Sequence, residues 1–414
     1  MVQGENEVKI AVIGLGFVGL VTATILAEKG NEITCIDTDR GKVERLMKND
    51  LYIYEPGLEN IFKKNRSRMT ITTDYSMLKG NSLAFVCVPT PTVNGKIDLS
   101  YVESAIFAAN SSDRDVIIVM KSTVIPGTAS HYSRMTGRDI VSNPEFLREG
   151  NAIDDTLSPD RIVIGGRNEE YLDLVEEIWK FTGAPVVRTT NENAELIKYA
   201  SNAFLATKIS FINDIANLCE KIPRADVSVV AEGMGLDRRI GREFLRAGLG
   251  FGGSCFPKDT RALVGFAMEK GLDMRIVSSA LEVNEERVKH AVGLIENELG
   301  PIEGKKICLL GISFKDNTND TRESKSLELM TQLRKKGANV LAFDPVVSNV
   351  DDVKVAKSVE ECSVADCIVI ASEWKDYKSL SLYEKGKKVV DLRRIVDLGI
   401  YPGVKGIGVG YEQD

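Results

Sequence analysis

The chain has 414 residues, 43% hydrophobic, 27% charged and 7% aromatic, which excludes a disordered or fibrous protein; at about 150 residues per domain it predicts two or three domains. Fifty-three Lys and Arg against sixty Asp and Glu leave a net charge of −7, so there is no global basic field for nucleic acid or an anionic membrane, although a local cationic pocket for a phosphorylated small molecule is allowed. Seven scattered cysteines do not resemble a disulfide framework and predict a reducing compartment. Residues 1–7 carry acids where a signal peptide needs positive charge, and no apolar run reaches the ~18 residues of a membrane span, so a cytoplasmic protein is expected.

In chain order, strand-like runs at Val8 to Ile13, Glu32 to Ile36, Leu83 to Val88 and Val116 to Met120 alternate with helical patterns, the signature of a doubly wound parallel sheet. From about Asn191 to Leu299 apolar residues recur every three or four positions and no strand pattern occurs, which predicts a helical middle region. A second α/β series follows, with strands at Lys306 to Leu310, Asn339 to Phe343, Cys367 to Ala371 and Lys388 to Asp391 and a helix at Glu323 to Lys335. The expected fold is therefore α/β, with two Rossmann-like doubly wound domains, 1–190 and 301–414, joined by a helical domain at 191–300. Gly300 to Gly304 is the linker, because Gly and Pro interrupt the helical pattern just before a fresh strand. No residue-level repeat relates the two sheet domains.

The first strand ends in Gly14-Leu15-Gly16-Phe17-Val18-Gly19, opening a helix that runs to about Lys29. Gly14 allows a tight turn, Gly16 lets the backbone approach a pyrophosphate, and Gly19 lets helix and strand pack closely, while the helix N-terminus attracts the anion. Asp37, twenty-three residues after Gly14, ends the second strand, where it can accept hydrogen bonds from a ribose and repel a 2′-phosphate; this predicts NAD over NADP. Lys198 and Asn202, four apart, share a helix face, a pattern that is usually surface decoration. Gly248 to Asp259 puts four glycines in six residues ahead of Cys255; a helix beginning near Pro257 would set this thiol by a positive helix end with Lys258 nearby, favouring thiolate. The other cysteines lie in strand-like or helical contexts that fit inert buried thiols. Only His131 and His290 occur, neither in an acidic or Gly-rich cluster, and Cys362 and Cys367 have no partner pair, so no metal site is predicted. Lys121-Ser122-Thr123 and Asn143 to Glu149 follow strand ends, the ligand-binding edge of such sheets, and the loop from Phe314 to Arg322 is a second candidate for phosphate.

Together with Tyr54-Glu55-Pro56-Gly57-Leu58 and Val88-Pro89-Thr90-Pro91, these motifs resemble the UDP-glucose/GDP-mannose dehydrogenase family from about Val8 to Val409. The Gly250 to Asp259 segment is most similar to members acting on UDP-glucose; Ser254 stands where N-acetylmannosamine members typically have His. The resemblance implies two successive NAD-dependent oxidations of a sugar C6 alcohol to a carboxylate, converting UDP-glucose to UDP-glucuronate through a Cys255 thiohemiacetal and thioester. GDP-mannose or a UDP-N-acetylhexosamine is the alternative substrate, and a single-step 3-hydroxyacid dehydrogenase the alternative enzyme. It further implies that Lys198 and Asn202 stabilise an oxyanion, that Asp259 and Thr123 position water, and that Glu145 assists hydrolysis. Cofactor contacts are implied for Gly14, Gly16, Phe17, Val18, Gly19, Asp37, Arg40, Thr90, Thr123, Glu149, Lys258 and Arg322. Substrate contacts are implied for Glu145, Phe146, Leu147, Lys198, Asn202, Arg239, Phe251, Gly252, Phe314 and Lys315. Arg239 would serve a neighbouring subunit of a homodimer or larger homo-oligomer, and one of Arg393 and Arg394 would reach the cofactor.

Overall fold

The computed structural model describes residues 8–93, 96–384 and 386–412; the acidic N-terminal stretch read above lies outside them. Two compact units divide between Ser201 and Asn202.

The first unit runs β1 (Lys9–Ile13), α1 (Phe17–Glu28), β2 (Glu32–Ile36), α2 (Arg40–Met47), α3 (Leu58–Lys64), β3 (Met69–Thr72), β4 (Leu83–Val86) and a small hairpin of β5 (Thr92–Val93) and β6 (Lys96–Ile97). It continues with α4 (Ser100–Ser112), β7 (Ile117–Met120), α5 (Thr128–Thr136), β8 (Ile140–Ser142), α6 (Ala152–Leu157), β9 (Ile162–Gly165), α7 (Glu169–Trp179) and β10 (Val186–Thr189). Helix α8 (Asn191–Cys219) crosses the boundary between the units. Eight strands pair in the order β10-β9-β8-β7-β4-β1-β2-β3, parallel except where β8 meets β9. That one antiparallel pair sits within the parallel, doubly wound sheet expected. The central strands read as continuous apolar runs because both faces are covered: Ile10, Val12 and Phe85 pack beneath α1, and Ala11, Ile13 and Val86 beneath α4 and α5.

The second unit contains α9 (Val227–Gly235), α10 (Phe256–Glu269) and α11 (Arg275–Leu299), then β11 (Lys306–Leu310), α12 (Lys325–Lys335), β12 (Asn339–Phe343), β13 (Lys354–Val355), β14 (Cys367–Ile370), β15 (Lys388–Asp391) and β16 (Val404–Gly406). Its six strands are parallel in the order β13-β12-β11-β14-β15-β16, the 3-2-1-4-5-6 arrangement of dinucleotide-binding sheets. α11 ends at Gly300, whose φ of 70° suits a glycine helix stop, so the predicted punctuation before β11 is present.

Cys308 and Cys362, expected as separate reduced thiols, are joined in a disulfide. Fifty-four residues separate them, but β11 and the short 3₁₀ turn Val359–Val364 bring both into one buried layer, which spacing alone does not reveal.

Candidate active site

In the first unit, sheet order brings the singled-out residues to one edge. Gly14 follows β1, Asp37 follows β2, Thr90 lies beyond β4, Thr123 beyond β7 and Glu145 beyond β8, all at strand C-terminal ends. Gly14 has φ of 90°, and a Cβ there would stand 2.7 Å from the Cys87 carbonyl oxygen, so this turn requires glycine. A Cβ on Gly19 would meet the Gly14 oxygen at 1.8 Å, whereas no described atom lies within 4 Å of the equivalent point on Gly16. Gly16 begins α1, which no described side chain caps, and Phe17 and Val18 form its half-buried first turn. The buried Asp37 carboxylate accepts from the Leu15 N–H at 2.7 Å and the Asp39 N–H at 2.9 Å, leaving further lone pairs for a ribose. A close-approach glycine, an uncapped helix N-terminus and a ribose-accepting carboxylate fit NAD. Arg40 starts α2 and is exposed, Thr90 is buried, and Glu149 is half-buried in the loop before α6.

Beside this edge, Lys198 and Glu145 form a buried ion pair of 2.9 Å, with side chains only 4% and 6% exposed. Burial pushes the Glu145 carboxyl up, but Lys198, the Leu147 N–H at 2.6 Å and the more distant Lys121 outweigh burial and hold it below the ordinary carboxylate value. Phe146 carries the Arg161 guanidinium 3.7 Å from its ring centroid and the Lys198 ammonium at 5.5 Å. Lys198, which an isolated Lys/Asn pair would have assigned to the surface, is therefore an interior charge.

Sequence reasoning missed two partners here. Lys121, read only as part of a strand-end motif, is buried beside the Asn143 amide oxygen at 3.3 Å and 4.6 Å from the Trp179 ring centroid; burial lowers its ammonium to about 8. Glu195, one turn before Lys198, lines a cavity with Thr123, Ser142, Pro144 and Lys198, and burial raises its carboxyl to about 7. Glu195 lies three residues before Lys198, the spacing that shares a helix face, and this was the available signal.

In the second unit α10 begins at Phe256, with Cys255 as its N-cap residue and Pro257 in its first turn. Cys255 is half-buried, and the Ser254 hydroxyl lies 3.5 Å from its sulfur. The Asp259 N–H donates to the Cys255 carbonyl at 2.8 Å, closing the first turn of α10. The carboxylate of Asp259, 1% exposed, receives the Asn202 amide at 2.6 Å and the Lys258 ammonium at 2.5 Å.

The glycine run admits neighbouring backbone and rings. A Cβ on Gly252 would fall 2.2 Å from the Glu323 oxygen and one on Gly253 2.7 Å from the Phe314 ring, while the Gly253 N–H donates to the Arg322 carbonyl at 3.1 Å. The Phe314 to Arg322 loop and the thiol loop, about 60 residues apart in sequence, thus pack together. Lys315 lies near the Phe314 ring, and Arg322 pairs with Asp320 at 2.7 Å. On the other side Asn284 of α11 brackets Phe251, accepting from its N–H at 2.7 Å and donating to its carbonyl at 3.0 Å; Arg287 donates to the Gly248 carbonyl at 3.0 Å. Neither α11 residue was singled out from sequence. Arg393 reaches the Gly250 carbonyl at 3.5 Å and pairs with Glu373 at 2.9 Å, whereas Arg394 pairs with Asp226 at 2.6 Å, so Arg393 is the one beside the thiol loop. Arg239 is not drawn into this group: its side chain is 89% exposed and pairs with Asp237 at 2.6 Å.

Three family models match in order: the UDP-glucose/GDP-mannose dehydrogenase NAD binding domain at residues 8–182, central domain at 192–286 and UDP binding domain at 308–398. The chain belongs to the UDP-glucose/GDP-mannose dehydrogenase family. Among this family's members, the UDP-glucose 6-dehydrogenase TuaD of Bacillus subtilis is 41% identical over 94% of this chain and 90% of its own. The UDP-glucose 6-dehydrogenase of Rhizobium meliloti is 41% identical over 94% of each. A UDP-glucose dehydrogenase structure from Pyrobaculum islandicum superposes with a TM-score of 0.93 at 37% identity, covering 100% of both chains. A UDP-D-ManNAc dehydrogenase from Pyrococcus horikoshii gives 0.86 at 28% identity, covering 97% of this chain and 99% of that one. Among the described residues no helix is long and apolar enough to cross a membrane, and no group of three or more His, Cys, Asp or Glu could hold a metal.

Proposed function

We propose that this family member oxidises C6 of UDP-glucose twice, giving UDP-glucuronate with Cys255 as the covalent nucleophile. The observation that carries the reading is Cys255 at the start of α10, with Asp259 in its first turn held by Asn202 and Lys258. Bound NAD⁺ supplies a hydride acceptor for each oxidation. After the first, the Cys255 sulfur adds to the aldehyde carbon, and the oxyanion takes up a proton to give a thiohemiacetal. Loss of a hydride from that carbon and of the proton from its hydroxyl then gives the thioester, and water cleaves the C–S bond to release the carboxylate and the thiol. Lys198 and Asn202 stabilise the oxyanions, Asp259 and Thr123 orient the water and move its proton, and Glu145, kept ionised by Lys198, assists hydrolysis. Gly14, Gly16, Phe17, Val18, Gly19, Asp37, Arg40, Thr90, Glu149, Lys258 and Arg322 contact the cofactor; Phe146, Leu147, Phe251, Gly252, Phe314 and Lys315 contact the sugar nucleotide.

The functional division follows 1–190, 191–300 and 301–414, with the UDP-sugar recognised by the last. A homodimer forms through α8, where Phe204, Phe211 and Leu218, spaced by seven, are 66%, 48% and 57% exposed. The exposed Arg239 then serves the partner's site, in a cytoplasmic enzyme.

NAD⁺ with UDP-glucose, GDP-mannose and UDP-N-acetylhexosamines tests the reading: UDP-glucose should be oxidised most efficiently, yielding two NADH per sugar. Preference for another nucleotide sugar would reassign the substrate, and one NADH per sugar would refute the double oxidation. Ser254 beside Cys255 favours UDP-glucose over the N-acetylmannosamine reading.

A further inference from the structure

Helix α5 has no side-chain cap of its own; its N-cap residue is Gly127. A distant side chain supplies the missing acceptor. The Glu195 carboxylate of α8 accepts from the Gly127 N–H at 2.6 Å and the Ala129 N–H at 2.9 Å, and from the Ser142 hydroxyl at 3.1 Å. One residue thereby ties three pieces of backbone: α8 one turn before Lys198, the loop from β7 to α5 that carries Thr123, and the end of β8 that leads into Glu145. Glu195 is 3% exposed and shares a cavity lining with Thr123, Ser142, Pro144 and Lys198. The α5 N–H groups and the Ser142 hydroxyl offset part of the burial that raises this carboxyl to about 7, and the two N–H groups use both carboxyl oxygens as acceptors, so the amide isostere cannot reproduce the arrangement. Asn191 makes a neighbouring tie, exchanging hydrogen bonds with Ser142 and Ile140, and therefore holds the start of α8 to β8 without Glu195.

We propose that Glu195 is a positioning residue for the oxidation, acting through Thr123 and the Glu145 segment by holding both in register with Lys198. The inference rests on the proposed function, which gives those three residues their roles. In Glu195→Gln the amide nitrogen faces one of the α5 N–H donors, so the loop carrying Thr123 shifts while the Asn191 tie keeps the fold. Misplacement of about 1 Å lowers kcat by about 10- to 100-fold, with KM for UDP-glucose and NAD⁺ changed less than about 3-fold. Ser142→Ala, which removes a single hydroxyl donor and leaves the charge, loses about 2- to 5-fold.

The experiment measures kcat, KM and thermal midpoint for wild type, Glu195→Gln, Thr123→Ala and the double variant, using whichever nucleotide sugar the wild type oxidises. The expected result is a kcat loss at nearly constant KM and midpoint, with the double variant no slower than the slower single variant, because Glu195 acts through Thr123. Wild-type kcat in Glu195→Gln, or fully multiplicative losses in the double variant, overturns the positioning role while leaving the proposed function standing. A loss that tracks a fallen midpoint shows a structural residue only and also overturns it. A wild type that oxidises none of the sugars overturns both.

Discussion

Cys255 is distinguished from the other cysteines by chemistry that a single oxygen-for-sulfur exchange exposes. A thiol captures the aldehyde and, after the second oxidation, leaves as a good leaving group; an alkoxide leaves far more slowly. Cys255→Ser should therefore accumulate a sugar-nucleotide acyl-enzyme, detected by intact mass, with a burst of NADH and little turnover, and Cys255→Ala should show no adduct. Near-normal uronate production by Cys255→Ala would reduce the residue to packing. Lys121 offers a second test at the same scale. Its ammonium is lowered from 10.5 to about 8, so the folded state disfavours the charged form. Below about pH 8 the group is charged in both folded and unfolded chains and the penalty is complete; it is relieved as pH rises from about 8 to 10.5, where the folded side chain becomes neutral first. Removing that charge with Lys121→Met should raise stability at pH 7 by about 2 kcal/mol, after the lost Asn143 and Trp179 contacts offset part of the gain. The advantage should shrink by pH 10, and equal gains in urea unfolding at both pH values would show that the amine is not the cause.

At the scale of elements, the thiol loop takes its shape from α11. Gly250 has φ of 93°, and a Cβ there would lie 2.2 Å from the Asn284 side-chain oxygen. Asn284→Ala leaves the buried Phe251 N–H and C=O without their partner, costing about 2–4 kcal/mol. It should also lower kcat together with the rate at which iodoacetamide labels Cys255. Unchanged labelling would separate the α11 bracket from the thiol. Gly250→Ala should lower both rates as well, through backbone strain as much as through contact. Strands β1, β2, β11, β12 and β15 were legible because they are apolar runs punctuated by Gly or Asp, and α10 because Pro257 marks its first turn. The short β13 and β16, of two and three residues, carry too few residues for a periodic signal. Cys255 was singled out from its residue type and glycine-rich context, whereas Lys198, Asn202 and Asp259 took their roles only from the family resemblance. Asn284 and Arg287 were not singled out, because a polar residue facing the core of a long helix looks in sequence like one facing water; only the backbone groups it meets set it apart.

Across the whole molecule, the two sheet domains repeat a design that one-dimensional comparison did not reveal. Gly14 donates to the Ile36 carbonyl at 2.7 Å and Gly311 to the Phe343 carbonyl at 2.8 Å, both glycines having positive φ. Asp37 accepts from the Leu15 N–H at 2.7 Å, and Asp344 from the Ile312 N–H at 2.8 Å. The repeat is one of backbone hydrogen bonds, so few identical side chains are needed to sustain it. The two carboxylates then diverge. Asp344 also receives the Ser313 N–H and hydroxyl and the Val346 and Val347 N–H groups, which with Ile312 makes five donors for about four lone-pair sites. Asp37 receives only the Leu15 and Asp39 N–H groups among the hydrogen bonds described, and the Lys42 ammonium stands off at 4.0 Å. One aspartate is consumed by its own fold and the other retains capacity for ribose hydroxyls. Asp37→Asn should therefore raise KM for NAD⁺ by about 10-fold, the equivalent of 1.4 kcal/mol, with a thermal midpoint near that of wild type. Asp344→Asn should instead destabilise the fold by about 2–4 kcal/mol, with KM for NAD⁺ unchanged in whatever fraction remains folded. Thermal unfolding and NAD⁺ saturation curves on both variants decide it: a raised KM in Asp344→Asn without loss of stability would mean that the second carboxylate, too, faces a ligand.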